Sequence, residues 1–98
     1  MVKVNIFGVQ DCGKCLKAKG RVSNLLRDRE LAERVTLVYW DQQDFEGRAQ
    51  GAWYDVDDAL PVTVIEAEDQ PVARWEGRAP KTEEIRGCLE KLRAPSAK

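Results

Sequence analysis

The stretch Asp11-Cys12-Gly13-Lys14-Cys15 decides how the rest of this sequence is read. Ahead of it, residues 2 to 9 alternate apolar and polar side chains or run apolar, are rich in Val and Ile, and stop at Gly8, Gln10 and Asp11, as a strand entering a turn does. Behind it, Cys15, Ala18, Val22, Leu25, Leu26 and Leu31 recur at the helical period, with Lys14, Lys17, Lys19, Arg21, Arg27 and Arg29 on the other faces. This predicts a helix from Cys12 to about residue 32. The two cysteines therefore fall where a strand passes into a helix. Residues three apart at a helix start share a face, within the Cα separation of about 4.4 to 6.8 Å that a disulfide requires.

Position also sets reactivity. A cysteine at a helix cap faces unpaired amides and the positive end of the dipole, which favour its thiolate, and Lys14 and Lys17 add positive charge. Cys12 is the expected nucleophile. A fall in its pKa from about 8.5 to about 7 raises the thiolate fraction at neutral pH from roughly 3% to roughly half. Lower basicity takes back roughly fivefold of that gain, leaving about threefold, so the larger benefit is that Cys12 leaves well when Cys15 attacks it. Asp11 acts the other way if it lies close, because like charge raises a thiol pKa.

Downstream, residues 34 to 40 are dense in β-branched and aromatic side chains and read as a second, well-buried strand ending at Asp41. Asp44 is placed to cap a short helix whose apolar Phe45, Ala49, Ala52, Trp53 and Val56 share a face, although Gly47 and Gly51 weaken it. Asp55, Asp57 and Asp58 form an acidic loop leading to Leu60 and Pro61, where proline opens a third strand at residues 62 to 65. Gln70-Pro71 reads as a hairpin turn before a fourth strand at residues 72 to 75, and Gly77 as a further turn. Ile85, Cys88, Leu89 and Leu92 mark a closing amphipathic helix with Glu83 and Glu84 in its first turn. The tail from Ala94 to Lys98 is expected to be mobile. The order β-α-β-α-β-β-α implies a four-stranded mixed α/β sheet in one domain over residues 1 to 93.

Bulk properties remove other classes. Ninety-eight residues suffice for one modest core. No run approaches the roughly 20 apolar residues that cross a bilayer. A net charge of −1 supplies no global field toward nucleic acid or anionic lipid. The first residues lack the apolar run and cleavage site of a secretory signal, so the expected location is cytoplasmic. There, a close cysteine pair points to redox chemistry or metal binding rather than a permanent staple. The chain has no histidine and only three cysteines, so a zinc or iron–sulfur site requires a second chain's CxxC across a dimer. Cys88 sits on an inward helical position and reads as core packing.

A strand, a CxxC at a helix start, a proline opening a later strand, a hairpin and a glycine before the last helix together resemble the thioredoxin and glutaredoxin superfamily over residues 2 to 93. That resemblance implies a thioredoxin-like fold and a monomeric thiol–disulfide oxidoreductase without a cofactor, in which Cys12 attacks a disulfide-containing protein substrate and Cys15 resolves the mixed disulfide. It implies supporting roles for Gly13 and Lys14, a cis bond before Pro61, substrate pairing at Leu60, and a groove kept open by Gly77. Ile6 and Asp11 stand where thioredoxins carry a buried acid and an aromatic residue. Glu76-Gly77-Arg78-Ala79-Pro80 lacks the double glycine and acid with which glutaredoxins hold glutathione. The resemblance thus favours a thioredoxin-reductase-like electron donor over glutathione. A redox-sensing subunit is the remaining alternative. The acidic loop and the Lys14, Lys17 cluster read as solvated surface unless they frame the groove.

Overall fold

A computed structural model describes residues 2–93. The elements in chain order are β1 (Val2–Gly8), α1 (Gly13–Leu25), α2 (Arg29–Arg34), β2 (Val35–Asp41), α3 (Phe45–Trp53), β3 (Val62–Ala67), β4 (Gln70–Glu76) and α4 (Thr82–Arg93). The expected tail at residues 94 to 98 lies outside the described residues. Among the described residues the strands form one mixed sheet in the order β2-β1-β3-β4. β1 runs parallel to β2 and antiparallel to β3, and β3 runs antiparallel to β4. No helix of the described residues is long and apolar enough to cross a membrane.

The two faces of the sheet carry different loads. Val4 and Ile6 of β1, with Ile65 of β3, pack against Ala18, Val22 and Leu25 of α1 and Ile85 and Leu89 of α4, all of them buried. On the other face Phe7, Val62 and Val64 form a smaller cluster with Trp40, Tyr54, Val56 and Leu60. Alternation along β1 thus serves two cores, the reason its polar member Asn5 is buried too. Asn5 is satisfied there, accepting from Trp40 Nε1 at 3.0 Å and donating to Glu66 Oε1 at 3.0 Å. Tyr54 donates to the other Glu66 oxygen at 2.6 Å, and burial together with that carboxylate pushes the phenol up to about 12.

β2 is not the well-buried strand expected but an edge strand on which only Val35 is buried. Three further local expectations are corrected. The first helix stops at Leu25 rather than near residue 32, because the Asp28 carboxylate accepts from the amides of Glu30 and Leu31 and starts α2 afresh. The hairpin turn falls at Glu68-Asp69, both at positive φ (52° and 66°), and Gln70 and Pro71 already belong to β4. That is the two-residue turn whose twist suits a hairpin, made here without glycine. Pro71 is tolerated because β4 is an edge strand, with a register shift opposite it between Ile65 and Glu66.

The third correction concerns α3. Its apolar side chains do not face the sheet: Phe45 is 82% and Trp53 81% exposed. The buried positions are Gly47 and Gly51, one turn apart. A Cβ on Gly47 would collide with the carbonyl of Asp41, and one on Gly51 with the side chain of Gln42. Backbone lies directly on backbone there, held by Gln42 Nε2 donating to the Gly47 carbonyl at 2.9 Å. Asp44 occupies the N-cap position as expected but makes no side-chain capping bond.

Candidate functional site

β1 delivers the chain to Gly8 at its carboxyl end, and a short turn brings it to Cys12, the N-cap of α1, with extended φ −112° and ψ 110°. The Cys12 sulfur accepts from the Cys15 amide at 3.1 Å, the role a serine or aspartate oxygen fills at other helix starts. Cys12 and Cys15 are disulfide-bonded with Cα atoms 5.2 Å apart, inside the range their spacing allows. Their environments differ. Cys12 is partly exposed, whereas Cys15 is 0% exposed on the buried face of α1.

Gly13 and Lys14 between them are exposed, and nothing lies within 4 Å of a Cβ placed on Gly13. Sterics therefore do not demand glycine at that position. Lys17 is likewise at the surface. The Leu60-Pro61 bond is cis, Pro61 is buried and Leu60 half-buried. Val62, the next residue, pairs with Phe7, so Pro61 comes to the same end of the sheet as Gly8 and the cysteine pair. Gly77 joins this end from β4: at φ +76° its amide donates to the carbonyls of Ala59 and Pro61, each at 2.9 Å. Arg21 of α1 ties in the segment that follows, donating to Ala79 O at 3.2 Å and Pro80 O at 2.9 Å. The topology thus gathers every site residue expected from the sequence at one rim of the molecule.

Two residues at the site were not singled out from the sequence. A Cβ on Gly8 would lie 2.7 Å from Cys15 Sγ and 2.5 Å from the Tyr39 hydroxyl oxygen, so only glycine fits beneath the buried sulfur. Tyr39 arrives there through the parallel register of β1 and β2, in which it stands beside Ile6. Its hydroxyl donates to Val9 O at 3.2 Å and its ring lies 5.2 Å from Lys19 Nζ. Burial, and then the charge of Asp41, raise its pKa.

The remaining groups stand apart. Cys88 is half-buried against the main core, and burial pushes its thiol pKa up, which disfavours the reactive thiolate. Asp55, Asp57 and Asp58 are exposed, Asp57 accepting from the Ala59 amide at 3.1 Å. A cavity of about 280 Å³ opens on the face away from α1, between Tyr54, Glu66 and Arg74, remote from the sulfurs.

No protein-family model matches the sequence, and no curated protein matches it. Solved structures do. Thioredoxin 1 from Thermosipho africanus superposes with a TM-score of 0.76 at 17% identity, covering 98% of this chain and 99% of that one. Fasciola hepatica thioredoxin gives 0.70 at 24% identity over 92% and 79%. The germline-specific thioredoxin Deadhead of Drosophila melanogaster gives 0.73 at 21% identity over 93% and 80%. At these identities the likeness speaks to architecture, and it agrees with the strand order, the helix layers and the bonded pair at the first helix. The chain is built on the thioredoxin fold.

Proposed function

We propose that this protein is a dithiol–disulfide oxidoreductase that reduces disulfides in protein substrates. The observation that carries the reading is the asymmetry of the pair, a partly exposed Cys12 at the helix mouth bonded to a fully buried Cys15. In the reduced protein the Cys12 thiolate attacks one sulfur of a substrate disulfide, forming a mixed disulfide and expelling the other sulfur as a thiolate. Cys15 then loses its proton and attacks Cys12 Sγ. The Cys12–Cys15 bond forms, the mixed disulfide breaks, and the second substrate sulfur leaves. Two protein sulfurs are oxidised and one substrate disulfide is reduced; the two substrate thiolates take up the proton lost by Cys15 and, from solvent, the one Cys12 had released on forming its thiolate.

The rim around the pair supports a macromolecular substrate. The Leu60 amide donates to the Asp58 carbonyl at 2.9 Å, so it is the Leu60 carbonyl that is offered to an extended substrate adding as a strand, and Gly77 leaves the neighbouring wall without a side chain. Regeneration then needs a two-electron donor to the Cys12–Cys15 bond. A thioredoxin-reductase-like enzyme fits better than glutathione, because residues 76 to 80 lack the glutathione-supporting pattern. The protein acts as a monomer in a reducing compartment such as the cytosol.

Trapping tests this reading. Cys15→Ser should accumulate covalent adducts with disulfide-bearing proteins that dissolve on adding dithiothreitol, while Cys12→Ser should yield none. Equal trapping by both variants, or by neither, would sink it.

A further inference from the structure

Directly beneath the cysteine pair the sheet presents a row made by Tyr39 of β2, Ile6 of β1 and Thr63 of β3, neighbours in register. Ile6 and Thr63 are fully buried, and among the described residues the Thr63 hydroxyl has no hydrogen-bond partner. The middle of this row is aliphatic, so no carboxylate is supplied there to assist the buried thiol. The hydroxyl of Tyr39 lies near it. A Cβ on Gly8 would lie 2.5 Å from that oxygen and 2.7 Å from Cys15 Sγ, so hydroxyl and sulfur border the same small space, which only glycine leaves open.

We propose that Tyr39 takes part in the resolving step, its hydroxyl donating a hydrogen bond to the Cys15 sulfur as that sulfur becomes a thiolate. This rests on the roles given above to Cys12 and Cys15. In the oxidised state the sulfur is a weak acceptor, and the hydroxyl spends its proton on Val9 O at 3.2 Å, a long bond for an O–H donor. Once the substrate is held on Cys12, Cys15 must shed a proton inside an apolar layer, which by itself raises a thiol pKa. A hydrogen bond given to the charged form opposes that cost.

Tyr39 is suited to give it. Burial and Asp41 hold its own proton in place, so it remains a donor through neutral pH. The ionisable groups around the pair are Lys14 and Lys17, exposed on α1, Lys19 from α1, stacked on the Tyr39 ring, Asp41 from β2, and Asp11 in the loop before Cys12. β3 contributes the neutral Thr63, and α4 packs with Ile85 and Leu89. Tyr39 keeps its proton throughout: the proton lost by Cys15 passes to the departing substrate thiolate, and the electrons move only between sulfurs.

The test uses the full chain carrying Cys12→Ser and Cys88→Ser, in which Cys15 is the sole thiol, with its thiolate followed by ultraviolet absorbance against pH. Adding Tyr39→Phe, which deletes one oxygen and keeps the ring, should raise the Cys15 pKa by about one unit, while Thr63→Val should leave it unchanged. With all cysteines restored, Tyr39→Phe should slow resolution of a mixed disulfide about threefold to fourfold at neutral pH, since the tenfold loss of thiolate is partly offset by greater basicity. The Cys12 attack that precedes it should keep its rate. An unchanged Cys15 pKa in Tyr39→Phe, or an equal rise in Thr63→Val, would overturn the proposal. The titration needs no substrate, so its failure is separable from a failure of the trapping experiment.

Discussion

The Gly77 amide donates to the Pro61 carbonyl at 2.9 Å, and this bond locks the turn leaving β4 onto the residue that opens β3. At φ +76° the bond depends on a conformation that costs an ordinary L-residue about 1 to 2 kcal/mol, asparagine less. Space is not the constraint, since a Cβ there would find its nearest neighbour, Ala59 Cβ, at 3.9 Å. Gly77→Ala should therefore lower stability by about 1 kcal/mol, and Gly77→Asn by less, in urea unfolding. Both should raise KM for a protein disulfide more than they lower kcat.

The face-down glycines of α3 give a sharper contrast. Gly47→Ala pushes a methyl into the Asp41 backbone, which cannot move without disturbing the end of β2, so a net loss of about 1 to 3 kcal/mol is expected despite alanine's better helix propensity. Gly51→Ala meets only the Gln42 side chain, which can swing away at the cost of its bond to the Gly47 carbonyl. Its loss should be smaller. Thermal unfolding of the two variants should rank them in that order, and the reverse ranking would show that α3 is not seated through Gly47.

The hairpin between β3 and β4 is improvable. Glu68 and Asp69 both hold positive φ without being glycine, so Asn-Gly in their place should raise stability by about 1 kcal/mol. A higher urea midpoint with an unchanged slope would confirm this.

Acid should loosen the start of α4. Glu84 is paired with Arg78 through two 2.9 Å bonds and accepts from the Lys81 amide at 2.8 Å. Arg78, then that amide, lower its carboxyl to about 2. A carboxylate whose folded pKa is depressed contributes stability above its unfolded pKa of about 4.3 and loses it as pH falls. The stability difference between the native protein and Glu84→Gln should be full at pH 5 and gone by about pH 2, read from melting temperatures across that window.

The fold was legible because its markers are chemical and local. The cysteines at a strand–helix junction, Pro61 ahead of a β-branched run and Gly77 before the last helix named both the architecture and most of the rim. What stayed hidden depends on contacts distant in sequence or on atypical residues. Asp28 looked like one more surface charge within a continuous helical period, and its capping bonds appear only once the chain turns there. Glu68-Asp69 carries no glycine to announce a hairpin. The apolar period of α3 pointed to the wrong face because its contact with β2 is too close for side chains. Gly8 read as a turn residue, and Tyr39 as strand filling, until parallel pairing of β1 with β2 set them together under Cys15.

Pro71, lodged in the outermost strand, has a consequence of its own. It removes one amide from the rim where another chain could otherwise zip on, and the bulge beside it, where Val72 goes unpaired, bends what remains out of line. Extended polypeptides are thereby discouraged along that border, so that copies at high concentration resist stacking into fibres.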